Sequence, residues 1–378
     1  MTKAIILSGG WGTRLRPLTC TIPKTLIPVV NKPVIERQIL LLKTAGVKEI
    51  VLAVSVMSEV VKQHFGDGKR LNVNIHYTNE KFPMGTAGAI RLADDYLKDD
   101  NFFMLNGDVI MDFDFSEFLT SHHKYGGIGT IASKIVEDPS RYGVLIVDKE
   151  THHLNKFLEK EEYSPPEGKI TPMPINAGVY ILEPDIFSYI QPKKKVSIER
   201  DVFPRVAAED QLFHYPISGI WKDVGKPSDL LEANIELMNH IINNLNSDVK
   251  NLIDDTADID PTTNIYSPCT IGKNVVIRKN CSIGPNVIIG DDVYVEESTK
   301  IRNSLLYKEA YISKNTSISN AIISDNCLIE KNVELSGDDE NLIILASFVK
   351  VNKEIKLISK DHQPISYCHH EIVKESIK

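Results

Sequence analysis

The chain has 378 residues, 42% hydrophobic and 25% charged, ordinary globular usage that excludes a disordered, collagen-like or disulfide-framework protein. At roughly 100 to 200 residues per domain, the length implies two or three domains. Lys and Arg number 43 against 51 Asp and Glu, a net charge of −8, so the usual electrostatic source of nucleic-acid or anionic-membrane binding is missing.

Five cysteines, Cys20, Cys269, Cys281, Cys327 and Cys368, are odd in number and form no C-x-x-C pair, which fits a reducing compartment. The apolar stretch before Gly9 and Gly10 is too short for a signal peptide, and no apolar run reaches the ~18 residues of a membrane span. A cytoplasmic protein without membrane contact is expected.

From Lys3 to about Ile242, short β-rich runs alternate with helical patterns, as in an α/β domain with a mostly parallel sheet. The first strand, Ala4 to Ser8, runs into Gly9-Gly10-Trp11-Gly12-Thr13-Arg14-Leu15-Arg16-Pro17-Leu18-Thr19, with Pro23-Lys24 beyond. Three glycines at a strand's carboxyl end let the backbone turn and aim N–H groups at an anion, while the arginines and Lys24 supply charge. A dinucleotide fingerprint fails because Leu15 stands where its third glycine belongs, and no G-x-x-x-x-G-K-[ST] occurs.

A helix is predicted over Pro33 to Thr44, and strands over Glu49 to Ser55, Asn74 to Tyr77 and Phe102 to Asn106. The last strand ends in Asn106-Gly107-Asp108-Val109, placing Asp108 at a strand's carboxyl end, where open α/β sheets bind ligands. A final helix, about Pro227 to Asn244, leads into a polar stretch from Asn243 to Asp260. We place domains at 1–245 and 263–378 with a linker at 246–262, so a cut near Ser247 is expected to leave a foldable N-terminal part.

Beyond that boundary the period changes. Ile265, Ile271, Ile277, Ile283, Ile289, Val295 and Ile301 fall at every sixth position, and after one-residue slips the rhythm resumes at Ile312 and Ile318, then at Ile323, Ile329 and Leu335. Six is neither the helical nor the plain strand period; it is that of hexapeptide-repeat β-helices. Cys269, Cys281 and Cys327 then read as small inward side chains. The pairs His122-His123, His152-His153 and His369-His370 read as solvated residues, since neighbours on one element point apart.

The glycine-rich loop resembles the G-G-x-G-T-R-L-x-P-L-T and P-K motif of the sugar nucleotidyltransferases, and the likeness continues through most of the chain. It implies a Rossmann-like nucleotidyltransferase domain followed by a left-handed parallel β-helix of hexapeptide repeats, and a reaction joining a nucleoside triphosphate and a sugar 1-phosphate with release of pyrophosphate. By this resemblance Leu7, Gly9, Gly10, Gly12 and Thr13 bind nucleotide, and Arg14 and Lys24 are catalytic. Asp108 and the Asp223 of Trp221-Lys222-Asp223-Val224-Gly225 are the ligands of Mg²⁺.

Phe157-Leu158-Glu159-Lys160 resembles the family's F-x-E-K-P motif, with Glu161 in place of Pro; it implies Glu159 on the sugar hydroxyls and Lys160 on the sugar phosphate. Tyr142-Gly143-Val144 and Ile175-Asn176-Ala177-Gly178 match two sugar-side segments through Gly143 and Asn176. Glu80-Lys81-Phe82-Pro83-Met84-Gly85 matches the loop over the base, with Glu80 on the base edge and close backbone approach at Gly85. Together with Ser197-Ile198-Glu199 the wording is most similar to the GDP-mannose pyrophosphorylase branch, implying GTP and mannose 1-phosphate; thymidylyl and uridylyl relatives share the central chemistry. A homo-oligomer through the β-helix is expected. A noncatalytic nucleotide-sugar-binding regulator and a second, acyl-transferring role for the β-helix, with His362, His369 and His370 beyond its repeats, stay as alternatives.

Overall fold

The computed structural model describes residues 2–80, 82–165, 168–245, 248–359, 365–367 and 371–372. The chain forms two compact units that do not divide it at one point: 1–10 with 34–221, and 11–33 with 222–378.

The first unit is a mixed sheet with helices. Its strands are β1 (Lys3–Ser8), β2 (Glu49–Val54), β3 (Asn74–Asn79), β4 (Phe102–Asn106), β5 (Gly129–Val136), β6 (Val144–Val147), β7 (Leu154–Leu158), β8 (Met173–Leu182) and β9 (Leu212–Pro216). Strands β4, β1, β2 and β3 lie side by side in parallel, and the apolar runs Ala4 to Ile6 and Phe102 to Leu105 are buried along their whole length, as in a parallel sheet covered on both faces. Helices α1 (Val34–Thr44), α2 (Ser58–Phe65), α3 (Gly85–Leu92) and α4 (Phe115–Tyr125) belong to this unit. The remaining sheet is less parallel: β8 runs antiparallel to β4, and β5 antiparallel to β8.

Helix α4 corrects one expectation. His122 is buried, its Nδ1 2.8 Å from Thr130 Oγ1 and its Nε2 3.1 Å from Glu183 Oε1. It is a core residue with both ring nitrogens satisfied, because the inner face of α4 turns it toward β5. His362, Cys368, His369 and His370 lie outside the described residues.

The second unit contains α5 (Pro227–Asn244) and a stack of short parallel strands. Ile253, Ile271 and Ile289 stand in register at 18-residue spacing, Leu306 and Ile323 follow at 17, and Leu345 at 22. Three hexads make one coil, the one-residue slips are 17-residue coils, and the long step holds the insertion around Asp338 to Asn341. After it the rhythm returns at Leu345, Val351 and Leu357, which the sequence reading did not follow past Leu335. From Ile271 onward these aliphatics form one core with Cys269, Cys281 and Cys327, while Ile253 of the first strand is exposed. The coil corners fall on Asn274, Asn280, Asn286, Asp292 and Ser298, with φ between 53 and 60°, a left-handed conformation that Asn and Asp tolerate best after glycine. Among the described residues no helix is long and apolar enough to cross a membrane.

Candidate active site

The first unit gathers its motifs around an irregularity in β8. The register of β8 against β5 shifts between Asn176 and Tyr180, and within this bulge Asn176 Oδ1 accepts from Gly178 N at 3.0 Å. Gly178 has φ 71°, and a Cβ there would stand 2.7 Å from Asn106 Nδ2, so only glycine lets the two segments meet. The Asn176 amide N–H is held by Gly143 O at 2.9 Å, and a Cβ on Gly143 would stand 2.8 Å from the Phe157 ring. Trp221, two residues before Asp223, donates its indole N–H to Ala177 O at 2.8 Å and meets Tyr142 edge-on at 5.3 Å. Three segments far apart in the chain therefore meet the bulge, at Asn106, Gly143 and Trp221, and a fourth, at Phe157, packs behind Gly143.

Asp108 is set by the same neighbourhood. Gly107 N donates to Leu7 O at 2.9 Å, tying the turn after β4 to the end of β1. Gln38 of α1, fully buried, spans the turn: its Nε2 donates to Asn106 O and to Val109 O, both at 2.9 Å. Asp108 itself is half-buried. Gly9 O accepts from Ser55 Oγ at 2.9 Å, and Gly10 is exposed with open space where a Cβ would stand.

In the segment 80–88, Gly85 has φ 75° and its added Cβ would stand 2.4 Å from Val196 O; Ala87 N and Gly88 N donate to that carbonyl. Thr86 Oγ1 donates to Glu199 Oε2 at 2.7 Å, and Ser197 Oγ to the same oxygen at 2.8 Å. Tyr180 OH, which accepts from Asn176 Nδ2 at 2.8 Å, is 3.4 Å from the other Glu199 oxygen. Glu199 thus links the start of α3 to the β8 bulge. Burial raises the carboxyl pKa of Glu80, against a 3.4 Å contact from Met84 N.

Next to the bulge lies a cavity of about 400 Å³ lined by Phe157, Glu159, Glu161, Glu162, Glu199 and Arg200, together with Pro204. Burial raises the Glu159 pKa, opposed by Arg200, whose Nε lies 3.4 Å from Glu159 Oε1. Glu161, in the motif's Pro position, sits 3.7 Å from Lys160 Nζ and 3.3 Å from Arg200 Nη2. Such exposed pairs are worth under about 1 kcal/mol, so Lys160 is parked and not locked.

The second unit holds Gly12, Thr13, Arg14, Lys24 and Asp223. Gly12 has φ 59°, and an added Cβ would stand 2.9 Å from Thr19 and 3.0 Å from Lys24; Thr19 Oγ1 donates to Gly12 O at 2.8 Å. Thr13 and Arg14 are exposed, while Lys24 is buried. A Cβ on Gly225 would stand 3.2 Å from Arg14 Nη1 and 3.1 Å from Asp229 Oδ2. The guanidinium therefore lies over the end of the Asp223 motif, beside the first turn of α5.

Asp108 and Asp223 are hard oxygen donors, each half-buried, and suit Mg²⁺, which commonly takes one or two carboxylates and fills its octahedron with phosphate oxygens and water. Among the described residues no cluster of three or more His, Cys, Asp or Glu could hold a metal by itself.

Residues 3–240 match the nucleotidyl transferase family, and residues 265–378 match the GMPPB C-terminal domain. The chain belongs to the nucleotidyl transferase family. The mannose-1-phosphate guanylyltransferase catalytic subunit beta of Dictyostelium discoideum is 44% identical over 233 residues, 61% of this chain and 63% of that protein. The mannose-1-phosphate guanyltransferase of Saccharomyces cerevisiae is 43% identical over 246 residues, 63% and 65% of the two chains. The match spans less than two thirds of these relatives' length. HddC from Yersinia pseudotuberculosis complexed with GMP-PN superposes with a TM-score of 0.52 at 29% identity, over 63% of this chain and all of that one. Within this family fold the chain carries features its motifs did not announce: Gln38 across the Asp108 turn, the linking position of Glu199, and the space that Gly225 leaves for Arg14. Only a buried polar residue amid the apolar positions of α1 hinted at the first.

Proposed function

We propose that the chain is a sugar-1-phosphate nucleotidyltransferase that converts GTP and mannose 1-phosphate to GDP-mannose and pyrophosphate. The observation that carries the reaction class is the meeting of four motif segments at and behind the β8 bulge, itself a fifth. The names of the 43–44% identical relatives support the base and sugar, and the GMP-PN complex of HddC supports a guanine nucleotide.

The sugar phosphate oxygen is already an anion at neutral pH, so no side chain need deprotonate it, and the barrier lies in bringing polyanions together. In this reading Glu159 takes the sugar hydroxyls, with the Asn176 amide and the backbone at Gly143 beside it. Lys160 leaves Glu161 to hold the phosphate for in-line attack on the α-phosphorus. The new P–O bond forms as the bond to the β-phosphate breaks. Arg14 and Lys24 bear the charge that develops on the departing pyrophosphate and on the α-phosphate. Leu7, Gly9, Gly10, Gly12 and Thr13 cradle the triphosphate, while Glu80 and Gly85 face the base and ribose. Asp108 and Asp223 would hold Mg²⁺, which when bound supplies charge neutralisation at the phosphates.

Unpaired thiols at Cys20, Cys269, Cys281 and Cys327 support a reducing, cytoplasmic setting. Self-association through the coils belongs to the same reading and is checked by light scattering. The deciding experiment incubates the protein with each nucleoside triphosphate against mannose, glucose and N-acetylglucosamine 1-phosphates and measures pyrophosphate. GTP with mannose 1-phosphate is expected to give the highest kcat/KM, chelator to abolish turnover, and Asp108→Asn to weaken Mg²⁺ activation. Full activity in excess chelator removes the metal assignment, and preference for another pair removes the specificity.

A further inference from the structure

The segment 11–33 carries Arg14 and Lys24, yet its packing belongs to the unit that contains the coils. Three hydrogen bonds fasten it there. Asn31 Nδ2 donates to Ile289 O at 2.7 Å, Tyr307 OH to Pro28 O at 3.2 Å, and Thr21 Oγ1 lies 3.0 Å from Ser347 Oγ. Ser347 is in turn 3.1 Å from Ser324 Oγ.

The three coil positions are not scattered. Ile289, Leu306, Ile323 and Leu345 are register partners, so Ile289, Tyr307 and Ser347 stand at one edge of the first, second and fourth of these coils, with Ser324 on the third. As the segment runs back from Asn31 through Pro28 to Thr21, its contacts climb the stack by three steps, about 14 Å at ~4.8 Å per step. Along the same edge the middle residues of the strands, Ile288, Leu305, Ile322 and Ile344, alternate outward from the coil core yet are buried, which marks this face as covered.

The lower end of the segment is also strained. Val30 and Asn31 form the turn between two short antiparallel strands, Pro28–Val29 and Lys32–Pro33, with φ 46° and 59°. A β-branched residue at positive φ persists only where its surroundings over-determine it. Val30 N donates at 2.8 Å to Oδ1 of the fully buried Asn234 in α5, while Asn31 is held by the coil.

We infer that this coil edge, through Ile289, Tyr307 and Ser347, is a positioning platform for the glycine- and arginine-rich segment, so that the β-helix takes part in turnover by fixing where Arg14 and Lys24 stand. The inference rests on the proposed roles of those two residues. It also sets an expectation for a chain cut near Ser247: the fragment would keep the segment and its bond to Asn234 but lose its contacts with the coils.

The test uses the full chain and isosteric losses of single hydroxyls: Tyr307→Phe, Thr21→Val and the two combined, with Thr21→Ser restoring the hydroxyl. Two quantities are read, hydrogen exchange of peptides covering residues 16–30 and steady-state kinetics. The double variant is expected to speed exchange in that segment about tenfold, leave β1 and β4 peptides unchanged, and lower kcat about fivefold with KM for mannose 1-phosphate within twofold, the scale of one or two neutral hydrogen bonds. Thr21→Ser should match the parent. Unchanged exchange overturns the platform; faster exchange with unchanged kcat overturns its role in positioning. Arg14→Ala serves as the reference: if it stays fully active, the catalytic reading of the segment fails, while the exchange data still decide whether the coils hold it.

Discussion

The sheet unit and the coil unit both rely on backbone in the left-handed region, for opposite reasons. In the coils it recurs every six residues, at Asn274, Asn280, Asn286, Asp292 and onward, and it builds the corners of the fold. In the sheet unit it follows no period, and at Gly68, Gly85, Gly178 and Gly219 an added Cβ would strike a neighbour at 2.2 to 2.7 Å; two of these, Gly85 and Gly178, fall within motifs assigned to substrate. Periodic left-handed backbone is architecture, whereas a left-handed glycine outside a repeat answers to one close contact, which at Gly85 and Gly178 lies within the candidate site.

Four variants or conditions probe that contrast. The largest effect belongs to the coils: Ile283→Asp, fully buried between Ile265 and Ile301, places an unpaired charge in the stack and should cost on the order of 4 kcal/mol. Denaturant unfolding should show it, and a loss under 1 kcal/mol would mean the coils can open there.

Next comes His214, whose imidazole pKa is driven down to about 4 by burial and by nearby His152, while its Nδ1 lies 3.0 Å from Ser133 Oγ. Its folded pKa lies below the unfolded ~6.5, so the neutral ring's contribution is complete above pH 6.5 and is lost as pH falls toward 4, about 3 kcal/mol in all. His214→Gln should flatten the stability profile between pH 6.5 and 4. An unaltered slope would assign the acid sensitivity to other groups.

Gly178→Ala should cost about 2 kcal/mol of strain, expressed as a large fall in kcat/KM with a thermal midpoint lowered by only a few degrees. Retention of full activity would demote the β8 bulge from site to fold.

The smallest is Gln38→Met, which removes both bonds to the Asp108 turn. A loss of about 1 kcal/mol should appear as a several-fold weaker Mn²⁺ affinity by electron paramagnetic resonance, and an unchanged affinity would show that the turn holds itself.

Legibility in the sequence followed the same division. The coil period could be read because each strand repeats one chemical demand, an inward aliphatic, every six residues. It was lost after Leu335 because the insertion around Asp338 to Asn341 lengthens one coil to 22 residues. Strands β1 to β4 were legible to within about two residues at their ends, since buried parallel strands are continuous apolar runs. The motif glycines could be found, but the reasons for them could not: the partners Asn106 for Gly178 and Val196 for Gly85 come from distant chain. Nor could local pattern show that 11–33 packs with the coils, because its bonds reach residues more than 250 positions away.

The inward cysteines of the coils have a practical consequence. Burial pushes the thiols of Cys269 and Cys327 up to about 11 and about 12 and also raises that of Cys281, so little thiolate exists at neutral pH and none of it faces reagent. Cys20, by contrast, is exposed. An alkylating dye would mark Cys20 at once and reach Cys269, Cys281 and Cys327 only as coils part, so the rate at which each of these becomes labelled is a clock for the opening of its own rung, running in the native protein without any engineered residue.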